Sequence, residues 1–172
     1  ANNSLQEVIT WIKGISGTPV VLTIAREWEK NFLKITVTRA KIVIKDVEYK
    51  KLNASTFYIQ IKSFGENVDT DFDAALTALK ADTNVKKVIF DVRNNPGGYL
   101  DKVSNMLSYF VPQGEPTAIV SSGTDDIAYM SQGYTLIDMS KYTKVVLLQN
   151  GGSASASEIF VGTMKDYFPN YA

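Results

Sequence analysis

Val88-Ile89-Phe90-Asp91-Val92-Arg93-Asn94-Asn95-Pro96-Gly97-Gly98 decides the fold. An apolar, β-branched run stops at a polar turn with paired glycines, and apolar residues then return at helical spacing from about Leu100 to Phe110. That order describes a buried strand, a tight turn and a helix. Leu147-Leu148-Gln149-Asn150-Gly151-Gly152-Ser153-Ala154-Ser155-Ala156-Ser157-Glu158 repeats the plan, with a helix expected to about Phe168. In α/β folds, chemistry collects where strands end at their carboxyl side and helices begin. Each junction nevertheless has two readings on spacing alone. The first is either a helix-initiating turn or a set of backbone amides aimed at a ligand oxygen. The second is either a nucleophile elbow carrying a serine at the positive end of a helix or an ordinary Ser-x-x-Glu capping box. Neither glycine pattern matches G-x-G-x-x-G or G-x-x-x-x-G-K-S, so nucleotide binding is unsupported.

Around these junctions, Phe57–Ile61 and Ala118–Ser121 read as strands, Val85–Val92 and Val145–Leu148 as buried strands, Asp71–Leu79 as an amphipathic helix and Ser122–Asp126 as loop. Strands alternating with helices imply βα units and largely parallel pairing. The first fifty residues differ. Ser4-Leu5-Gln6-Glu7 is a capping box before a helix with Leu5, Val8, Ile9 and Ile12 on one face and Gly14 as its stop. Val20–Ala25, Phe32–Arg39 and Ile42–Val47 read as strands of a small β-rich unit.

Composition narrows the chemistry. The 172 residues are 45% hydrophobic and 21% charged, with 18 basic against 18 acidic side chains, no histidine and no cysteine. Without His there is no Ser-His-Asp triad, and without Cys no thiol nucleophile, disulfide or Cys/His zinc site. Hydrolytic chemistry would therefore use Ser or Thr, Lys, carboxylates, Tyr and backbone amides. Zero net charge argues against a nucleic-acid partner. No metal site is expected, because Asp69, Asp71 and Asp73 lack the glycine turn and terminal Glu of a calcium loop. Trp11, Trp28, Tyr99, Tyr109 and Tyr129 are expected to pack in the core or a groove.

Three segments in order, Phe57-Tyr58-Ile59-Gln60-Ile61-Lys62-Ser63-Phe64-Gly65-Glu66-Asn67, Asp91 to Gly98 and Gly152 to Glu158, resemble motifs of the carboxyl-terminal processing peptidases, or tail-specific proteases, of serine peptidase family S41. The resemblance covers residues 57–172 closely, and Leu5 to Arg26 is similar to the last helix and following strand of the PDZ domain these proteases carry. It implies a mixed α/β fold: a ββα-spiral core shared with the Clp-protease and crotonase folds, preceded by the C-terminal part of a PDZ-like domain. The expected division is a PDZ-like remnant over 1–40, a connecting strand or linker over 41–56 and the protease core over 57–172.

The function implied is a Ser-Lys endopeptidase that cleaves protein substrates near their C-termini, without cofactor or nucleic acid. Ser155 falls on the family's nucleophile, and the amides of Ala156 and of Gly97 or Gly98 on its oxyanion hole. Asp166 stands where some members have a functional aspartate, but eleven residues of unbroken helix rise about 16 Å, which leaves it a supporting role. The family's base is a lysine in a Gly-Lys pair some two dozen residues past the nucleophile. The sequence continues seventeen residues past Ser155, so that lysine is expected outside this chain, and the chain alone is expected to be inactive. Lys165, about 15 Å along the helix, is no substitute. Ser121-Ser122-Gly123-Thr124 departs from relatives that carry Arg after the Gly. The resemblance further implies an extracytoplasmic location in the bacterial periplasm or cell envelope, and it leaves homo-oligomerisation and membrane association open. A non-catalytic peptide-binding scaffold of the same fold is the alternative, and a crotonase-type acyl-transfer enzyme is disfavoured by the serine elbow.

Overall fold

The structure, a computed structural model, describes residues 3–42 and 44–169; Ala1, Asn2, Val43 and residues 170–172 lie outside the described residues. The chain divides into two compact units, Ala1–Ile44 and Lys45–Ala172.

In the first unit, α1 (Leu5–Ile12) precedes an antiparallel pair, β1 (Pro19–Ile24) and β2 (Leu33–Thr38), in the register Pro19↔Thr38 to Ile24↔Leu33. The capping box forms as expected: the Glu7 N–H donates to Ser4 Oγ at 3.3 Å, and the Ser4 N–H donates to the Glu7 carboxylate at 2.7 Å. Arg39 ties helix to hairpin, donating through Nε to the Ile12 carbonyl at 2.7 Å and through Nη1 to the Pro19 carbonyl at 2.9 Å. No residue of α1 is buried, and Trp11 and Trp28 are 59% and 91% exposed, against the packing expected of them. One helix and two strands supply no second layer within this unit to bury those rings.

The second unit runs β3 (Val47–Asn53), β4 (Thr56–Ile61), α2 (Val68–Ala81), β5 (Lys87–Asp91), α3 (Leu100–Leu107), β6 (Pro116–Ser121), β7 (Asp126–Met130), a 3-10 turn at Met139–Lys141, β8 (Lys144–Leu148) and α4 (Ala156–Tyr167). The main sheet has the order β3-β4-β5-β8, antiparallel at β3-β4 and parallel at β4-β5 and β5-β8. The mixed α/β class is as expected. The strand expected over Ile42–Val47 is not: Ile42 and Ile44 lie outside any strand and are 82% and 74% exposed, and pairing starts at Val47, where β3 meets Ile61. The segment after Ser122 also forms β7, an antiparallel partner of β6.

Burial along β4 alternates with period two. Phe57, Ile59 and Ile61 are buried while Tyr58 and Gln60 are half-buried on the other face. Val88, Phe90 and Val145 join the buried face from the neighbouring strands. Covering it are Val68, Phe72, Ala75, Leu76 and Leu79 of α2, Val103, Met106 and Leu107 of α3, and Ala156, Phe160, Val161 and Met164 of α4. At the centre four rings meet at tilted and edge-to-face angles: Phe72, Phe90, Phe110 and Phe160, with centroids 5.7–6.4 Å apart. Edge-to-face pairs add to the burial term because the positive ring edge meets the negative face. Phe160 also touches Phe64, at 6.3 Å, so this core lies directly beneath the turns that follow β4 and β5. Among the described residues, no helix is long and apolar enough to cross a membrane. Phe90→Ala and Phe160→Ala should each lower the unfolding free energy by about 3–5 kcal/mol through cavity formation, whereas Ile89→Ala on the half-buried face should cost less; urea denaturation reads both.

Candidate active site

The two glycine turns lie side by side because β5 and β8 are parallel neighbours and end together. The Val92 N–H donates to the Leu148 carbonyl at 2.8 Å, one residue past the last ladder pair Asp91↔Leu148. From there the turns are laced together. The Asn150 side chain accepts from the Asn94 N–H and donates back to Asn94 Oδ1, both at 2.9 Å. Ser153 Oγ donates to the Val92 carbonyl at 2.7 Å and accepts from the Asn150 N–H at 3.0 Å. Asn94 has φ +59°, a left-handed conformation that Asn tolerates better than most side chains.

Asn95 is fully buried between the turns. Its Nδ2 donates to the Ile61 carbonyl at the end of β4 (2.9 Å), and its Oδ1 accepts the Gly97 N–H (2.9 Å). Its own carbonyl accepts the Ala154 N–H at 3.1 Å and the Ser157 hydroxyl at 2.9 Å. Phe64 holds the far side of the turn: its N–H donates to the Gly97 carbonyl and its carbonyl accepts the Tyr99 N–H, each at 2.9 Å. Both glycines are sterically required. A Cβ on Gly97 would lie 2.8 Å from Ser155 Cβ and 3.1 Å from the Ala156 nitrogen, and one on Gly98 only 2.3 Å from the Phe64 carbonyl oxygen.

Ser155 therefore sits against Gly97, exposed, at the N-terminus of α4. Its φ of +55° and ψ of −119° are rare for a residue with a side chain, and such strain of about 1–3 kcal/mol persists only where the surroundings hold it. One restraint is Glu158, whose carboxylate accepts the Ser155 N–H at 2.8 Å, so the Glu half of the capping box coexists with an elbow. The Ala156 N–H begins the helix. Among the described residues, neither it nor the Gly98 N–H has a hydrogen-bond partner, whereas the Gly97 N–H is taken by Asn95. The site thus brings Ser155, Ala156, Gly97 and Gly98 together. Asp166 lies apart, beyond an unbroken α4, where it lines a cavity of about 440 Å³ with Pro116, Thr117 and Ile119. Lys165 is exposed in the same last turn.

A second support lies at the end of β5. The Asp91 carboxylate accepts from Arg93 Nε at 3.0 Å, Arg93 Nη2 at 2.6 Å, the Arg93 N–H at 2.9 Å and the Tyr58 hydroxyl at 2.6 Å. Burial pushes the Asp91 carboxyl up, but the hydrogen bonds from Arg93 and Tyr58 outweigh it and hold the group below its ordinary value. Burial, with Asp91 alongside, raises the Tyr58 hydroxyl in turn. Among the described residues, no group of three or more carboxylates could hold a metal ion. Neither Asn95 nor the Asp91–Arg93–Tyr58 group was singled out from the sequence. The Asp91-x-Arg93 spacing at a strand end was the available signal for the latter.

Gly98→Ala should lower the unfolding free energy by more than about 2 kcal/mol, since both the backbone angle and the Phe64 carbonyl resist a side chain. Gly151→Ala meets nothing within 4 Å and should stay within about 0.5 kcal/mol; thermal unfolding of the pair checks this. For Asp91, a lowered folded-state value means that its contribution is fully present above the unfolded-state value of about 3.9 and lost as pH falls through the folded one. The stability advantage of wild type over Asp91→Asn should accordingly shrink on acidification below that value, as measured by denaturation at a series of pH values.

Several known proteins are similar to this chain. The family model "Peptidase family S41" matches residues 55–168. A "probable CtpA-like serine protease" of Staphylococcus aureus (strain COL) is 38% identical over 165 residues, covering 95% of this chain and 32% of the relative. A protein of the same description from Staphylococcus haemolyticus (strain JCSC1435) is 36% identical over 164 residues, with the same coverage. Among solved structures, the photosystem II D1 C-terminal processing protease is similar with a TM-score of 0.61 and 26% identity, covering 89% of this chain and 42% of that one. The chain spans about a third of the length of the curated relatives it matches. With the family match lying across both glycine turns and the serine that follows the second, the chain belongs to peptidase family S41.

Proposed function

We propose that the protein containing this chain is a Ser-Lys endopeptidase that cuts protein substrates near their C-termini, with Ser155 as nucleophile. The observation that carries the reading is the packing of Gly97 against Ser155 and Ala156, which sets an exposed, strained serine beside two amides that have no partner among the described residues, those of Ala156 and Gly98. In this reading Ser155 Oγ attacks the scissile carbonyl carbon and passes its proton to a lysine amine. The carbonyl oxygen becomes an oxyanion that accepts from the Ala156 and Gly98 amides, a preorganised arrangement worth about 10²–10³ in rate per donor. The C–N bond then breaks, the leaving amine takes the proton, and water releases the acyl group from Ser155. Gly98 rather than Gly97 is the second donor, because Gly97 already donates to Asn95 and is buried while Gly98 is exposed.

Asp166 and Lys165, in the last turn of α4, lie about 15 Å of helix rise from Ser155 and serve neither as nucleophile nor as base. The base in this reading is a lysine other than Lys165. The helix followed by an antiparallel hairpin in the first unit supports reading residues 1–40 as the C-terminal part of a PDZ-like domain. The test is cleavage of an unstructured protein by the full-length enzyme, with mass spectrometry of the products. Ser155→Ala should lower kcat/KM by at least about 10³-fold. Equal cleavage by the variant and wild type overturns the assignment of Ser155.

A further inference from the structure

The oxyanion geometry described above rests on backbone, and backbone turns rich in glycine do not hold a conformation unaided. We infer that Asn95 is the positioning residue of the site: its buried amide and carbonyl fix the Gly97–Gly98 turn in register with the Ser155–Ala156 elbow, so that the Gly98 and Ala156 amides converge on one oxygen. The inference rests on the protease reading of that site and adds a residue to it. Asn95 meets three segments at once. Nδ2 fastens it to the end of β4 at Ile61, Oδ1 takes up the Gly97 N–H, and its carbonyl binds the elbow on both sides of Ser155, at Ala154 and Ser157. Holding the Gly97 amide away decides which glycine presents a free N–H. The Ser157 bond adjoins Ala156, the residue carrying the other donor. Proline at 96 fixes φ between the two and removes a competing N–H.

Every partner of Asn95 is uncharged, which makes Asn95→Asp an informative variant. A protonated carboxyl of the same shape can donate to Ile61 and accept from Gly97, reproducing both side-chain bonds. An ionised one turns a lone pair toward the Ile61 carbonyl among uncharged partners, and burial favours its neutral form. In the full-length enzyme, held at a temperature where circular dichroism shows both proteins folded throughout, the variant should have kcat about 100-fold below wild type at alkaline pH, with KM little changed. The ratio of variant to wild-type kcat should then climb at least tenfold as the pH is lowered and the carboxyl protonates. A purely structural role leaves that ratio flat across pH, and a flat ratio overturns the inference.

Ser155→Ala runs in parallel. If it is inactive while the Asn95→Asp ratio stays flat, the Asn95 inference alone fails; if it cleaves like wild type, the protease reading and this inference fall together. Should Asn95→Asp not fold, Ser157→Ala replaces it. Loss of that single hydrogen bond should lower kcat about fivefold at unchanged KM, and an unaltered kcat overturns the inference.

Discussion

A buried primary amide has donors and an acceptor to satisfy, and each one left without a partner costs about 1–3 kcal/mol. At Asn95 the side-chain amide bonds to the end of β4 and to the glycine turn after β5, and the backbone carbonyl of the same residue bonds to the elbow after β8. No other side chain of that length offers the same pattern in every protonation state. An ionised Asp lacks the donor for Ile61, Leu lacks both functions, and Gln would carry its amide too far from the backbone. The polar centre of the site is therefore also a piece of its core. Breaking one bond exposes unsatisfied groups on two elements at once, and networks of this kind are worth more than their separate pairs.

The apolar core beneath supports the same arrangement. Phe64 grips Gly97 and Tyr99 through its backbone while its ring lies against Phe160, and Phe160 is one turn into the helix that Ser155 begins. Packing thus fixes the distance between the Phe64 strand end and α4, and the strained conformations at Asn94 and Ser155 are held from both sides. Strain of about 1–3 kcal/mol at each is comparable to the burial of one large side chain such as Phe160 or Met164, at roughly 1.5–3 kcal/mol, and is offset by it. A serine pushed out of the ordinary backbone regions becomes tolerable because the helix behind it is so well anchored.

Much of this was legible in the sequence. The parallel strands, the helices after them and both glycine turns follow from apolar runs broken by Asn-Gly and Pro-Gly-Gly, and they fall within a few residues of their observed ends. The failures share a cause. The strand at Val47–Asn53, Val-Glu-Tyr-Lys-Lys-Leu-Asn, is an edge strand exposed after its first residue, so it has no alternating burial to read, and the more apolar Ile42–Val47 drew the assignment instead. The Asp126–Met130 strand is likewise a ribbon edge, with four of its five residues exposed. Asn95 carries no periodic signal at all. Its importance lies in which way its amide points, and that depends on Ile61, thirty-four residues earlier. The choice between Gly97 and Gly98 was hidden for the same reason.

Serine chemistry requires an environment for the oxyanion and an acceptor for the hydroxyl proton, and these come from different kinds of group. In the proposed reading the first is made of backbone amides, which do not titrate, held by uncharged groups of Asn95 and Phe64. Its strength is then the same at any pH at which the fold persists. The second must be a side chain. The lysine amine proposed above can serve only if burial lowers its affinity for the proton, so the burden falls on the dryness of the place it occupies. Ser155 and Gly98 are exposed among the described residues, which leaves this face open to a substrate carbonyl. The two halves can therefore be built by separate parts of a protein, the one rigid through its core and the other dependent on what closes over it.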